Sequence, residues 1–318
     1  MTPGSGQEPT RRWASPIVWV LIFFGGLSLA ALVAPAVYAA LLAVEPDLRL
    51  TLSRVFNRAA MVAAVVMLFV FRRVVGWQEL KVLFGRGTKV HRFREVAIGW
   101  AAALAAIVAG VAWAMATGRL GVTLNEYHFF AVRTATALIG GLIAALIEES
   151  FFRGLMLQSL KGSIGRSAAV VTSSAAYAAV HLLISDRTFV WTGFSLGSGF
   201  AYLSQAVGRQ LEPASVWPLL GLFLGGVVLA LVVGKTRSLY LVIGIHAGWA
   251  FAFQVVRHAT RVIGDIPGTS ELARRHFLVG TGWAWAVLVL SGLVAAVWAM
   301  RVSDPPAIDG ASTSRDPA

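Results

Sequence analysis

The stretch Leu142-Ile143-Ala144-Ala145-Leu146-Ile147-Glu148-Glu149-Ser150-Phe151-Phe152-Arg153 decides how the chain is read. An apolar run leads into two adjacent acids, then two phenylalanines and a guanidinium, and the apolar pattern resumes through Leu155, Met156 and Leu157. A single helix from about Phe129 to Leu160 would be long enough, at ~1.5 Å per residue, to cross a hydrocarbon layer of ~30 Å with three ionisable groups inside it. Each such group costs about 2.5–3.5 kcal/mol at a helix centre. Unpaired, the three together would rival a domain's net stability of about 5–15 kcal/mol. Partners must exist. The competing reading ends the span at Ile147 and leaves the acids in the interface, against the apolar pattern that follows.

Working outward, the 318 residues are 57% hydrophobic and 13% charged, where a soluble domain carries about 25% charged residues. The excess falls in separated apolar runs of spanning length. These predict an all-α, polytopic membrane protein of about eight transmembrane helices, near 16–44, 59–75, 96–116, 129–160, 167–184, 215–234, 239–256 and 279–300. Residues 1–15 read as a disordered cytoplasmic tail and 303–318 as a second one, rich in Pro, Ser and Asp. Between them, 16–128 holds N-terminal transmembrane helices and a basic cytoplasmic loop, 129–256 a catalytic membrane core from helices 4–7, and 257–302 a loop and the last span. The first span could pass for a signal peptide, but its apolar run to Val44 outlasts the ~7–15 residues of a signal core. Residues 185–214, with Phe189, Trp191, Phe194, Phe200 and Tyr202 among Gly and Ser, read as an interfacial or re-entrant segment.

The absence of cysteine excludes disulfides, thiolate metal sites and a Cys nucleophile. A net charge of +12 reads here as juxtamembrane basic residues rather than as nucleic-acid binding. The densest cluster, Arg72, Arg73, Lys81, Arg86, Lys89, Arg92 and Arg94, marks a cytoplasmic side. Counting spans from it puts both termini in the cytoplasm, as expected for a bacterial inner membrane. Arg257, Arg261, Arg274 and Arg275 fall on the opposite side and disagree with that count.

Glu149 and Arg153 stand four apart with the acid first, the favourable order for a helical ion pair. Glu148, rotated by about 100°, has no cation at i±3 or i±4 and needs a partner on another helix, a wet cavity or a proton. Two more polar residues interrupt apolar helices: His181, with Tyr177 one turn before it, and His246 within Gly244-Ile245-His246-Ala247-Gly248-Trp249. Each taken alone reads equally well as a helix-helix hydrogen-bonding residue. His91, His128, His258 and His276 fall in connections or at span edges and read as solvated. Depths of roughly 16, 21 and 11 Å for Glu149, His181 and His246, at ~1.5 Å per residue, allow the three helices to share one cavity.

A carboxylate and two imidazoles in such a cavity suit hydrolysis by activated water. A buried carboxyl is brought toward a range where it serves as general base, and a nearby donor can hold an oxyanion. Glu148 is the better base, since Glu149 is committed to Arg153; His181 would orient the water and His246 would supply the oxyanion donor. Glu148-Glu149 followed by Arg153, an aromatic three residues short of His181, and His246 in Gly-Ile-His-Ala-Gly-Trp resemble the three motifs of the CPBP family, the type II CAAX prenyl endopeptidases and bacteriocin-processing or Abi proteins. The similar region covers roughly residues 130–256. The resemblance implies a helical membrane core and a glutamic-type intramembrane endopeptidase. In it the first Glu activates water, the second pairs with Arg, one His stands by the base and the last His helps to hold the oxyanion.

Two departures accompany the resemblance. Tyr177 stands where the second motif usually opens with Phe, and Ala250 where the third usually has Asn or Asp four residues after its His. Gln254 lies one turn further on the same face, too far to replace that carboxamide. No cofactor is expected; the alternative is Zn2+ held by Glu148, His181 and His246, against which stand the commitment of Glu149 and the lack of a His-Glu-x-x-His pair. The expected partners are the lipid bilayer and a peptide or membrane-associated protein substrate. The rival readings are an inactive binding or immunity protein on the same scaffold and a proton-coupled transporter using Glu148.

Overall fold

The computed structural model describes residues 16–47, 50–75, 77–123, 130–183, 189–263 and 279–302. The expected tails, His128, His276, Arg274 and Arg275 lie outside the described residues. Seven helices are long and apolar enough to cross a membrane, and one of them is the run Ala131–Ile164 that carries Glu148, Glu149 and Arg153 without interruption. The helix does not end at Ile147.

In chain order the described helices are α1 (Pro16–Val44), α2 (Leu52–Val70), α3 (Trp77–Gly85), α4 (Lys89–Ala116), α5 (Phe130–Glu149), a π-helical turn (Ser150–Met156), α6 (Leu157–Ile164), α7 (Arg166–Leu183), α8 (Ser198–Gln210), α9 (Val216–Thr236), α10 (Leu239–Ala259) and α11 (Gly282–Val302). The eighth expected span falls on α7, a helix that is not among those seven, because its Arg, Thr, three Ser and His leave it less apolar. Two starts differ from the hydropathy reading. Helices α2 and α4 begin about seven residues earlier than expected, because backbone hydrogen bonding does not stop where the apolar run does. Thr88 caps α4 by accepting from the His91 amide at 3.2 Å, so Lys89, Arg92 and Arg94 lie on its first turns rather than in a loop. Within the segment read as interfacial, α8 packs on α1, with Tyr202 wholly buried beside Phe56 and Phe189.

One small sheet was not expected. Leu120–Val122 (β1) pairs antiparallel with Thr260–Val262 (β2), tying the end of α4 to the end of α10. Those two helices run side by side in the same direction. Gly99 lies against the carbonyl of Leu241, and Gly244 against that of Val96, so a Cβ at either position would meet backbone. This close approach sinks α10 into the bundle, and it is the most enclosed of the seven long helices. Helix α5 runs antiparallel on its other side, with Gly141 against Ala250 and Glu149 at His246. Helix α7 runs antiparallel to α9, with Gly226 facing Ser174 and Arg166 near Gly234. Helices α5, α7, α9 and α10 thus converge on one region, where Glu149, Arg153, Gly226 and His246 meet.

Candidate active site

Arg153 is 1% exposed and Glu149 0%. The guanidinium donates to Glu149 Oε1 at 3.0 Å and, from its other arm, to the carbonyl of Gly226 on α9 at 3.2 Å. Its face lies 4.4 Å from the centre of the Tyr177 ring, so one cation joins three helices. Gly226 permits this because α7 passes so near that a Cβ there would stand 2.9 Å from Ser174 Cβ. The same Glu149 oxygen accepts from His246 Nδ1 at 2.7 Å. A carboxylate oxygen has two lone pairs, and here one oxygen serves both donors while Oε2 is buried without a hydrogen-bond partner.

The π turn begins immediately after Glu149. Widening a helix by one residue per turn disturbs the carbonyl ladder, and such turns recur at functional sites. Side chains repair the disturbance: Gln158 donates to the Arg153 carbonyl at 2.8 Å and Ser159 to the Leu155 carbonyl at 2.8 Å.

Glu148 points toward the two imidazoles. Its Oε2 lies 3.2 Å from His181 Nε2 and 3.7 Å from His246 Nε2, with neither nitrogen aligned for a regular hydrogen bond. The far nitrogens are both committed. His181 Nδ1 lies 2.9 Å from the Tyr177 carbonyl, which can only accept, and His246 Nδ1 faces the carboxylate of Glu149. Each imidazole therefore carries its hydrogen on Nδ1, and a neutral ring presents a lone pair from Nε2. Three acceptors directed at one another require between them something that carries hydrogen or positive charge. A proton, a water molecule or a metal ion meets that requirement.

The ligand atoms of Glu148, His181 and His246 lie within 4.8 Å of one another. Two imidazoles, each held from behind by an oxygen acceptor, together with one carboxylate and an open side, also fit the donor set of a zinc site. Next to this cluster a cavity of about 220 Å³ extends along α10 from His181 and His246 past Ala250 and Phe253 to Gln254 and Arg257. Trp249, on its wall, is fixed by a 3.0 Å hydrogen bond to Ser291 of α11. The cluster thus borders a cavity on one side, while Glu149 and Arg153 are packed behind it on the other.

All six residues singled out from the sequence meet here. Sequence reading gave Glu149 to Arg153 alone, and it missed the Gly226 carbonyl and the cation over Tyr177. The adjacent glycines 225 and 226 in an apolar helix were the available signal for a close approach. His91 pairs with Glu95 at 3.5 Å and His258 with the Gln254 carbonyl at 2.6 Å, both away from the cluster.

Residues 129–252 match the family described as type II CAAX prenyl endopeptidase Rce1-like. This segment belongs to that family. No curated protein matches the chain. The Rce1-like segment contains Glu148, Glu149, Arg153, Tyr177, His181 and His246 and carries the fold of CAAX-protease-like membrane endopeptidases, and with the apolar helices around it fits an integral membrane protein.

Proposed function

We propose that this protein is a glutamic-type intramembrane endopeptidase that hydrolyses peptide bonds of a peptide or membrane-associated protein. The observation that carries the reading is the convergence of two Nε2 atoms on Glu148 Oε2 beside an open cavity. Glu148 takes a proton from a water held by His181 as the water oxygen attacks the carbonyl carbon. The carbonyl electrons move to oxygen, which His246 faces. Collapse of that intermediate expels the amine, and the amine leaves with the proton that Glu148 had taken. Arg153 and Glu149 act behind His246, holding its ring by Nδ1.

In the zinc alternative, Glu148, His181 and His246 would hold the ion, which would supply Lewis acidity to the carbonyl. Ala250, which lines the cavity one turn from His246, favours a second reading, a binding or immunity protein that no longer cleaves. The basic residues flanking α2, α3 and the start of α4 support a cytoplasmic face at that end, and with it cytoplasmic termini in a bacterial inner membrane.

Mass spectrometry of membrane-protein fragments from cells carrying the wild type or Glu148→Ala tests the reading. Fragments that vanish with Glu148→Ala are expected; an unchanged set refutes endopeptidase activity at this site.

A further inference from the structure

We propose that the Tyr177 hydroxyl is a catalytic donor to the oxyanion formed at this site, an inference that rests on the endopeptidase reading above. Tyr177 is 4% exposed. Its ring is packed against Phe152, with centroids 5.4 Å apart, against His181 at 4.2 Å and against His246 at 5.9 Å. The Arg153 guanidinium lies over its face. The hydroxyl makes no hydrogen bond among the described residues, yet it is not one of the sealed polar atoms without a partner. Tyr177 lines the cavity together with His181 and His246.

A phenylalanine would fill the same packing without the cost of holding a phenol O–H in apolar surroundings with no partner. The hydroxyl therefore makes sense where a partner arrives with the substrate. His246 leaves such a role open. With Nδ1–H given to Glu149, its Nε2 donates only when the ring carries a second proton, whereas a phenol donates at any pH below about 10. The side chain at 250, one helical turn from His246 on the cavity wall, is a methyl group and donates nothing. The Tyr177 O–H hydrogen-bonds the oxygen that gains charge as water attacks and keeps its own proton throughout, while the proton from water travels through Glu148 to the leaving amine.

The test uses the full-length protein in liposomes and a peptide spanning a cleavage site mapped in the wild-type digest. A second peptide carries sulfur in place of the scissile carbonyl oxygen, a poor hydrogen-bond acceptor. Tyr177→Phe is expected to lower kcat about 10²-fold, the usual effect of losing one oxyanion donor, with KM within about threefold. The oxygen-to-sulfur rate ratio is expected to be at least about tenfold smaller in Tyr177→Phe than in wild type. That ratio is taken within each enzyme, so it does not depend on how much of the variant is folded. Ala250→Asn added to Tyr177→Phe is expected to restore at least about tenfold, since its carboxamide enters the same cavity.

A kcat within about threefold of wild type overturns the proposal. So do equal sulfur effects in the two enzymes, and so does a variant with neither residual activity nor rescue by Asn at 250. Wild-type protein that cleaves no peptide defeats the endopeptidase reading itself, a result distinct from wild-type cleavage with Tyr177→Phe unimpaired.

Discussion

Arg153→Met removes a cation of similar length and leaves an apolar chain in its place. It deletes the 3.0 Å contact to Glu149, the 3.2 Å hydrogen bond to the Gly226 carbonyl and the contact over the Tyr177 face at 4.4 Å. Breaking a buried ion pair in a soluble protein costs about 3–5 kcal/mol, but that figure does not transfer directly. Glu149 and Arg153 stand on one helix, so they remain neighbours when the helices separate within the bilayer, and their mutual attraction largely cancels between the assembled and separated states. What assembly loses is the charged hydrogen bond to α9, about 1.5–3 kcal/mol, and the desolvated cation–π contact to α7, up to about 2 kcal/mol. Measured side-chain hydrogen bonds inside membranes average only about 0.6 kcal/mol, which pulls the expectation toward the lower end. A net loss of about 2–3 kcal/mol, or roughly 30- to 160-fold in the folding equilibrium, should appear in reversible unfolding in mixed detergent micelles. Arg153→Lys should lie close to Arg153→Met, because one ammonium cannot reach both the carboxylate and the Gly226 carbonyl. Unfolding of Arg153→Met at the wild-type detergent fraction would refute the claim that this guanidinium joins the three helices.

Glu149→Gln keeps an acceptor for His246 but removes its charge; cleavage should fall about 10- to 100-fold with KM little changed, measured as kcat on a mapped peptide. Ala250→Asn should not lower cleavage, and a large loss in the same assay would show that the cavity beside His246 is organised differently. Gly226→Val drives a side chain into Ser174, which a Cβ at 226 would approach to 2.9 Å; it should destabilise the protein by about 1–3 kcal/mol in the micelle assay. Full activity after exhaustive chelation, with no metal found by elemental analysis, is expected on the glutamic reading, and activity lost to chelation and regained with zinc would replace it.

The order of residues along one helix made half of this site readable. Glu149 and Arg153 declare themselves at i and i+4, and Glu148 is left over by subtraction, an acid without a cation on its own helix. That deficit, rather than any spacing between His181 and His246, is what required other helices to bring partners. The structure supplies both imidazoles, across separations of thirty-three and ninety-eight residues that no periodicity encodes. The same reasoning failed where one atom does two jobs. Reserving Glu149 for Arg153 treated an ion pair as exclusive, but its Oε1 accepts from His246 as well, and that second bond fixes which nitrogen of His246 faces the reacting group. The π turn was hidden for a related reason. Propensity and hydropathy see a continuous helix through Ser150–Met156 and carry no mark of the turn that widens there, beside the contacts Arg153 makes to α7 and α9. Pairing within a helix was therefore legible, whereas the sharing of donors and acceptors between helices was not. The chemistry proposed for Glu148 depends on the second kind, because the hydrogen that each imidazole gives to an oxygen behind it decides what its Nε2 can offer to a water in front.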